Sequence, residues 1–357
     1  MRTITVALGK KTYNIEIAAG LLDQIGPKAR ALSKAGKAAI ISDSNVDPLY
    51  GGRLDRSLAA SGFEVIRIVF EAGEQSKNLD TLGRVYDELA RAGLTRSDLL
   101  LTLGGGVPGD LGGLAAATFL RGIDFIQVPT SLLAQIDSSV GGKVAIDLPA
   151  GKNLVGCFYQ PRAVFIDPEL LQTLPVRFLH DGLAEAIKYG CISDAELFAQ
   201  IAAITSDGEL LEQADSIIET CCKIKARIVE KDEFDTGERM LLNFGHTIGH
   251  AIEKCCGFTT YTHGEGVGIG MVQLTRQTEK LGLTAAGTAA AVSSVLQKFA
   301  LPVTAEFDAR EILQVMALDK KKSGGKITLV IIEKIGVGRL HKIDWQDMPA
   351  YIVQESV

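Results

Sequence analysis

The sequence predicts an α/β protein: a first domain with a mainly parallel sheet, then a mostly α-helical second domain. Up to about residue 175, short β-rich runs alternate with helical stretches, the pattern of βαβ units. Beyond that point strand patterns nearly vanish and apolar residues recur at helical spacing. The length of 357 residues fits two domains. We predict domains over 1–175 and 176–357, with the active site in the cleft between them.

Individual elements follow from these patterns. In the first domain the apolar runs predict strands over 38–43, 63–70, 99–103 and 123–128, a helix over 78–92, and an edge hairpin from 3–8 and 13–17. In the second domain helical spacing predicts helices over 178–189, 209–230, 239–254, 264–280 and 285–300, and strands only over 327–332 and 339–343.

Composition excludes several classes of protein. A net charge of −6 argues against a nucleic-acid partner, since no face need be strongly basic. The start of the chain lacks the apolar core of a signal peptide. The most apolar stretch, 99–120, is interrupted by glycines, Pro108 and Asp110, which argues against a membrane span. The six cysteines, including two adjacent pairs, are typical of reduced core thiols in a cytoplasmic protein.

A glycine-rich loop follows the predicted strand 99–103 and precedes a predicted helix. Gly104, Gly106 and Gly109 match the G-x-G-x-x-G spacing, in which the backbone approaches a pyrophosphate at a helix N-terminus. The alternative is a turn that serves only tight packing. The loop comes late in the chain, and Asp124, the acidic residue that follows, lies at the wrong end of a strand. Asp43, at the end of an earlier strand, is the better candidate for the ribose.

Three of the five histidines, His246, His250 and His263, fall within 18 residues. Imidazoles suit zinc, and a catalytic zinc site has three protein ligands and one open position. His246 and His250 share a helical face, and Glu185, a charged residue on a small and apolar helix, is the best candidate carboxylate. The alternative is that the histidines cap or fill a helical core. The other two histidines, His180 and His341, are predicted on the surface.

Basic and amide residues beside glycines suggest anion recognition. Gly141-Gly142-Lys143 and Gly151-Lys152-Asn153 are predicted loops in which an anion can come close. Arg239 and Asn243 precede His246 by seven and three residues, and Lys188 follows Glu185 by three. Single lysines are usually solvated, but a cluster around one cleft indicates a substrate with phosphate and carboxylate groups.

Taken together, these segments resemble the 3-dehydroquinate synthase family over nearly the whole chain. The matching segments are GGGVPGD at 104–110, QVPTSLLAQIDSSVGGK at 127–143, GKN at 151–153, 182–190, LNFGHTIGHAIE at 242–253, HGE at 263–265 and DKK at 319–321. The resemblance implies an N-terminal Rossmann-like domain that binds NAD, a mostly α-helical C-terminal domain that binds Zn²⁺ or Co²⁺, and a homodimer. It also implies conversion of 3-deoxy-D-arabino-heptulosonate 7-phosphate to 3-dehydroquinate and phosphate, through transient oxidation by NAD, phosphate elimination, reduction, ring opening and intramolecular aldol closure.

The resemblance also assigns residues. Metal ligation falls on Glu185, His246 and His263. NAD contacts fall on Asp43, Glu74, Lys77, Gly106, Val107, Pro108, Gly109, Asp110, Thr130, Ser131, Lys143, Lys152, Leu170 and Thr173. Substrate and catalytic contacts fall on Asp137, Lys143, Asn153, Lys188, Lys225, Arg239, Asn243, His250, Lys320 and Arg121 of the partner subunit.

The sequence departs from the family pattern at a few positions. Pro108 replaces an aliphatic residue, Ser131 a threonine, Glu71-Ala72-Gly73 the usual Asp-Gly, and Gly266 and Gly268 two alanines. These changes affect cofactor affinity and helix packing more than the reaction. The rival interpretations are a sister sugar phosphate cyclase, a metal-dependent polyol dehydrogenase that releases NADH, and an inactive NAD-binding regulatory domain.

Overall fold

The computed structural model describes residues 1–257, 260–306, 308–320 and 325–352, without the side chains of 318–320. Within it the chain divides into two compact units. Unit 1 contains Met1–Leu174 and Leu211–Phe234, and unit 2 contains Pro175–Leu210 and the chain from Asp235 onward. The two domains predicted from the sequence are continuous in the chain, whereas unit 1 includes a returning segment that the helical pattern had placed in the second domain.

Unit 1 is built on a seven-stranded sheet. Its order is β1-β2-β9-β6-β5-β3-β4, and every neighbouring pair is parallel except the edge pair β1–β2, which is antiparallel. The mainly parallel sheet and the edge hairpin are therefore confirmed. The strands are β1 Arg2–Val6, β2 Tyr13–Ile17, β3 Lys37–Asp43, β4 Glu64–Phe70, β5 Leu99–Gly104, β6 Asp124–Pro129 and β9 Ala163–Ile166, and a separate hairpin is formed by β7 Lys143–Leu148 and β8 Gly151–Phe158.

Helices cover both faces of this sheet, which explains why its central strands are continuously apolar. Alternate residues of β3 point to opposite sides: Ile40 belongs to one buried cluster and Ile41 to the other. The first cluster includes residues of α1 (Ile25–Leu32) and α2 (Gly52–Ala60). The second includes residues of α3 (Leu79–Arg91) and α4 (Gly106–Thr118). The predicted helix 78–92 matches α3, which Asn78 caps by accepting from the N–H of Thr81.

Unit 2 is mostly helical, as predicted. Its helices are α5 Val176–Ser193, α6 Ala195–Ala203, the first residues of α7 Asp207–Lys231, α8 His246–Cys255, α9 His263–Lys280, α10 Thr288–Lys298 and α11 Ala309–Lys320. Helix α9 packs against α5, α8 and α10. One antiparallel hairpin, β10 Lys326–Lys334 with β11 Val337–Asp344, matches the two strands predicted in this half.

The predicted helix 239–254 is wrong as a single element. The structure has a 3-10 turn over Glu238–Asn243, then a break at Gly245, and only then α8. Gly245 has φ +81, and a Cβ there would lie 2.6 Å from Met271 Cγ and from the Val267 carbonyl oxygen. Close approach to α9 therefore ends the first turn, so Arg239 and Asn243 do not extend the helical face of His246.

The sequence patterns also missed β9, α6, α11 and the β7–β8 hairpin. Lys143 begins β7 and 151–153 begin β8, so these positions are strand ends rather than the predicted loops. His180 and His341 are half-buried, not surface residues: His180 Nε2 lies 2.6 Å from Asp207 Oδ1, and His341 Nε2 lies 2.9 Å from the Tyr351 hydroxyl.

The cysteines are free thiols, but they are not all core residues as predicted. The buried ones are Cys191, Cys221 and Cys222, the half-buried ones are Cys255 and Cys256, and Cys157 is exposed. Among the described residues, none of the helices combines the length and apolarity that a membrane crossing requires.

Candidate functional site

Glu185, His246 and His263 form a compact cluster in unit 2. Glu185 lies on α5 with 1% of its surface exposed, and its Oε1 lies 3.5 Å from His246 Nε2 and 3.6 Å from His263 Nε2. One donor atom from each of the three side chains lies within 4.8 Å of the others. Two imidazole nitrogens and a carboxylate oxygen at this spacing suit a divalent transition metal with a further open position.

The charge states of the cluster fit that interpretation. Burial, reinforced by the neighbouring Lys188 ammonium, holds the pKa of His246 well below its usual range, so this imidazole is neutral. Burial also disfavours a charged His263, but the Glu185 and Glu253 carboxylates outweigh it and raise the pKa of His263 to about 10. A cation beside Glu185 would displace the proton from His263 Nε2, because metal ligation requires the neutral imidazole.

Local hydrogen bonds fix where α9 begins, and hence where His263 lies. Asp181, one turn before Glu185 on α5, accepts from the N–H of Gly264 at 2.6 Å. Thr262 and Glu265 form a capping box, in which the N–H of Thr262 donates to Glu265 Oε2 at 2.9 Å. Arg177 donates two hydrogen bonds, each of 2.8 Å, to the same Glu265 carboxylate. His263, the first residue of α9, is therefore held in a fixed position.

His250 stands one turn after His246 and completes a ring of three imidazoles. The ring centroids of His246, His250 and His263 lie between 5.1 and 5.7 Å apart. His250 is exposed, unlike its two partners, which are half-buried. A second group of donor atoms, from His250, Glu253 and His263, also lies within 4.8 Å. Spacing alone therefore does not decide which histidines would bind a metal.

The remaining predicted substrate residues of unit 2 differ in burial. Lys188 is 1% exposed and donates to Glu185 Oε2, so it stands directly beside the cluster. Arg239 is buried and Asn243 exposed, at the two ends of the turn before α8. Lys320 is the last residue of α11, and its side chain lies outside the described residues.

In unit 1 the predicted nucleotide residues gather at the carboxyl edge of the sheet. β3 pairs with β4 on one side and with β5 on the other, so the chain direction across the sheet reverses between β3 and β5. Ligands of open α/β sheets bind at such switch points. Ser42 pairs with Leu103, so Asp43 and Gly104 come next to each other on these strands. Burial raises the pKa of Asp43, whose Oδ1 accepts from the N–H groups of Asn45 and Val46.

The loop after β5 has both packing glycines and open ones. A Cβ on Gly109 would lie 2.9 Å from Gln127 Oε1, and on Gly112 2.6 Å from Thr102 Cγ2, so these positions serve close packing. Among the described residues, a Cβ on Gly106 would meet only Ser138, whose Oγ would lie 3.5 Å away. Helix α4 begins here with no side-chain cap among the described residues. Its first N–H groups and the space beside them have the arrangement of an anion cradle.

The other predicted nucleotide residues lie at the same edge, after β6 and β9. The Thr130 N–H donates to the Gly104 carbonyl oxygen at 2.9 Å, which ties the end of β6 to the loop, and Ser131 is half-buried beside it. After β9, Leu170 is buried, and the Thr173 hydroxyl lies 2.5 Å from the hydroxyl of Tyr50. Val107, Pro108 and Asp110 belong to the first turn and a half of α4.

A charged cluster surrounds the buried Lys77. Its ammonium lies 2.6 Å from Asp110 Oδ2, 4.0 Å from Glu74 Oε1 and 2.5 Å from Asn153 Oδ1. Burial alone would lower the pKa of Lys77, but the Asp110 and Glu74 carboxylates raise it, so the lysine stays charged. Asn153 adopts φ +55 and donates its N–H to Asp147 Oδ1 at 2.7 Å. Predicted nucleotide and substrate residues thus meet in one network.

Five further predicted residues are scattered over unit 1. Lys225, on α7, donates to the backbone carbonyl of Asp137 at 2.7 Å and to its carboxylate. Lys143 pairs with Phe158 at the opposite end of the β7–β8 hairpin from Asn153, and Lys152 is half-buried near the turn. Arg121 is exposed and has φ +69 after Leu120 at φ +50. Hairpin pairing therefore separates Lys143 from the Lys77 network.

Two acids near the histidine cluster received no role from the sequence. Glu253 Oε1 lies 3.2 Å from His263 Nδ1, and Asp181 accepts from the N–H of Gly264 at the start of α9. Their signals were spacing: Glu253 follows His246 by seven residues on one helical face, and Asp181 precedes Glu185 by four. Acids so placed on otherwise apolar faces indicate buried partners.

Known proteins resemble this chain along its whole length. Models of the N-terminal and C-terminal parts of 3-dehydroquinate synthase match residues 67–181 and 182–322. The 3-dehydroquinate synthase of Clostridium acetobutylicum is 49% identical over 353 residues, 99% of each chain.

Solved structures of two synthases share the fold. A 2-deoxy-scyllo-inosose synthase complexed with carbaglucose-6-phosphate, NAD⁺ and Co²⁺ has a TM-score of 0.88 at 24% identity, covering 98% of each chain. The 2-epi-5-epi-valiolone synthase from Streptomyces hygroscopicus subsp. jinggangensis, with NAD⁺ and Zn²⁺ bound, has a TM-score of 0.87 at 26% identity, covering 97% of each chain.

Proposed function

Because the chain belongs to the 3-dehydroquinate synthase family, we propose that it converts 3-deoxy-D-arabino-heptulosonate 7-phosphate to 3-dehydroquinate and phosphate with NAD⁺ and a divalent metal. The observation that carries the metal part is the Glu185, His246 and His263 cluster, whose donor atoms converge on one point. We propose these three side chains as the ligands, with Zn²⁺ or Co²⁺ as the ion.

In the proposed reaction the cofactors supply the reactive chemistry, and the residues of the chain bind the cofactors. When bound, NAD⁺ supplies a hydride acceptor that returns the hydride within the turnover, and the metal supplies Lewis-acid chemistry. The cradle at Gly106 binds the pyrophosphate through N–H groups, and Asp43 accepts from the ribose hydroxyls. The two sets lie in different units, so the reaction requires both units of the chain.

Cationic and amide side chains hold the substrate. Lys188, Lys225 and Arg239 are buried charges suited to phosphate and carboxylate oxygens, and they orient the substrate and stabilise developing charge. Asp137 holds the Lys225 ammonium in place. Lys143, Lys152, Asn153, Asn243 and Lys320 complete the proposed set. His250, exposed one turn beyond His246, donates a proton to the departing phosphate or hydrogen-bonds it.

We further propose a cytoplasmic homodimer. Arg121 is exposed on a turn with two consecutive non-glycine residues at positive φ, a strained conformation that persists where it serves a purpose. Such a turn suits a residue that reaches a neighbouring subunit's substrate, here as Arg121 of the partner subunit. The free cysteines suit a reducing compartment.

A stoichiometric assay tests the reaction. Purified protein is given the seven-carbon substrate, a divalent metal and NAD⁺ at a small fraction of the substrate concentration. We expect one phosphate released per substrate consumed, with no accumulation of NADH. NADH that builds up in step with turnover would instead support a polyol dehydrogenase. Turnover of a different phosphosugar but not of this one would support a sister cyclase.

A further inference from the structure

Glu253 is a buried acid that the proposed reaction does not use. It lies on α8, the helix of His246 and His250, with only 2% of its surface exposed. A carboxylate is costly to bury without a partner. Its Oε1 lies 3.2 Å from His263 Nδ1, the ring nitrogen on the far side from Glu185. Glu253 thus contacts the cluster from behind one of its histidines.

The two histidines of the cluster are arranged in the same way. His246 Nδ1 lies 3.2 Å from the Phe244 carbonyl oxygen, which can only accept, so Nδ1 donates and Nε2 is left facing Glu185. His263 likewise places Nδ1 against an acceptor and Nε2 against Glu185. For His246 the acceptor is backbone, and for His263 it is the Glu253 carboxylate. Each acceptor selects the tautomer whose lone pair points into the cluster.

The packing of α8 against α9 makes room for this carboxylate. A Cβ on Gly249 would lie 2.7 Å from the Gly266 carbonyl oxygen, so the two helices approach backbone to backbone. A Cβ on Gly266 would lie 3.1 Å from Cγ and Oε1 of Glu253. The glycine therefore leaves the space that the Glu253 side chain fills. This space fixes the carboxylate against the neighbouring turn, where α9 begins with His263.

We propose that Glu253 is a positioning residue that accepts from His263 Nδ1–H and thereby fixes the orientation and tautomer of His263 for metal ligation through Nε2. The inference rests on the proposed metal site. Outer acceptors of this kind orient ligating histidines, and their loss typically weakens metal binding by about 10–100-fold. Glu253 touches neither substrate nor metal in this role.

Metal affinity of the apo-protein is the test, with Co²⁺ titrated against a competing chelator. Glu253→Met keeps the volume and removes the acceptor, and we expect about 10–100-fold weaker binding. Glu253→Gln keeps an acceptor oxygen without the charge, and we expect an intermediate loss. Wild-type affinity in both variants, or an equal loss in both, would overturn the positioning role. If Glu253→Met does not fold, Glu253→Ala, which also removes the acceptor, takes its place, and wild-type affinity in that variant contradicts the inference.

A spectroscopic readout separates orientation from general damage. The Co²⁺-loaded protein should show two solvent-exchangeable, paramagnetically shifted imidazole N–H resonances, one from His246 and one from His263. Glu253→Gln should move one and leave the other in place. Two unmoved resonances would refute the hydrogen bond.

Controls distinguish this inference from the site on which it rests. His263→Ala should lose metal. If it does not, the proposed metal site itself is wrong. If it does while Glu253→Met binds normally, only the positioning role fails. His250→Ala should retain its Co²⁺ affinity, and a loss matching that of Glu253→Met would mean that His250, Glu253 and His263 hold the metal instead.

Discussion

The histidine cluster of unit 2 and the glycine loop of unit 1 are organised by different parts of the chain. In the cluster, side chains from α5, α8 and α9 converge inside a helical core, and their neighbours fix ring orientation and helix start. In the loop, strand order and helix direction place backbone N–H groups beside open space. A side-chain site depends on a few residue identities. A backbone site depends on topology and on the lack of side chains.

The largest effect expected from this difference is at the cluster. Glu185→Gln and His263→Ala each remove one of three donors, so we expect bound metal and turnover to fall below detection after dialysis. Elemental analysis measures the bound metal, and phosphate release measures turnover. NAD⁺ affinity, measured by fluorescence, should stay near the wild-type value because the loop lies in the other unit. Full metal occupancy in both variants would show that the ligands are placed wrongly.

Comparison of two histidines one turn apart sharpens the assignment within the cluster. His246→Ala should lose the metal. His250→Ala should keep it, because Glu185, His246 and His263 already leave one open position and a fourth ligand would fill it. Turnover of His250→Ala should nevertheless fall by on the order of 10²-fold, since a proton-transfer group is lost. Equal metal loss in the two variants would favour His246 and His250 as a pair of ligands, as their helical spacing suggests, over the substrate-facing role that the family resemblance gives His250.

At the glycine loop, the addition of a single methyl group should be enough to weaken NAD⁺ binding. Gly106→Ala places a Cβ in ordinary van der Waals contact with Ser138 Oγ, at 3.5 Å, so the fold should be unaffected. We expect NAD⁺ to bind roughly tenfold more weakly, about 1.4 kcal/mol, because the methyl group occupies the cradle. Calorimetry with NAD⁺ measures this.

Gly83→Ala is the matched control, since a Cβ at this position on α3 meets nothing within 4 Å. It should bind NAD⁺ as the wild type does. Gly106→Ala with unchanged affinity would mean that the pyrophosphate lies elsewhere.

The two regions also differ in how far the sequence predicted them. Residue type and spacing gave Glu185, His246, His250 and His263 as candidates, and the family resemblance selected the three without His250. The structure places one donor atom from each of these three within 4.8 Å of the others. At the loop, the pattern identified the glycines and preferred Asp43 to Asp124. It did not give the strand order that places Asp43 next to Gly104, because pairing of strands distant in sequence leaves no local periodicity.

The errors have physical causes of the same kind. The helix predicted over 239–254 breaks at Gly245 because α9 approaches its backbone, a contact between residues remote in sequence. The starts of β7 and β8 were interpreted as loops because glycines adjoin the lysines there, and most of β8 is exposed. Glu253 carried no role because a buried acid looks, in sequence, like any charge on a helix.

The smallest expected effect on cofactor binding lies at the opposite end of the strands from the loop, where a carboxylate orders the backbone. Asp98 Oδ1 accepts from the Lys37 N–H at 2.9 Å, and Oδ2 accepts from the N–H and hydroxyl of Thr95 at 2.7 and 2.8 Å. Burial would raise the pKa of Asp98, but these N–H groups lower it below its usual value. Because the folded pKa is depressed, the contribution of Asp98 to stability is fully present above about pH 4 and is lost as pH falls through the folded value.

Asp98→Asn turns one accepting oxygen into a donor. We therefore expect the free energy of unfolding, measured in urea at pH 7, to be about 1–2 kcal/mol lower than in the wild type, with a smaller difference at pH 3. Asp124→Asn is the control, at the exposed start of β6 with Arg162 3.6 Å away, and should change stability by less than about 0.5 kcal/mol. NAD⁺ and metal affinities should be unchanged in both variants, because this end of the sheet orders strands without forming a site. Equal stability of the two variants at pH 7 would show that the Asp98 carboxylate does not hold the starts of β3 and β5.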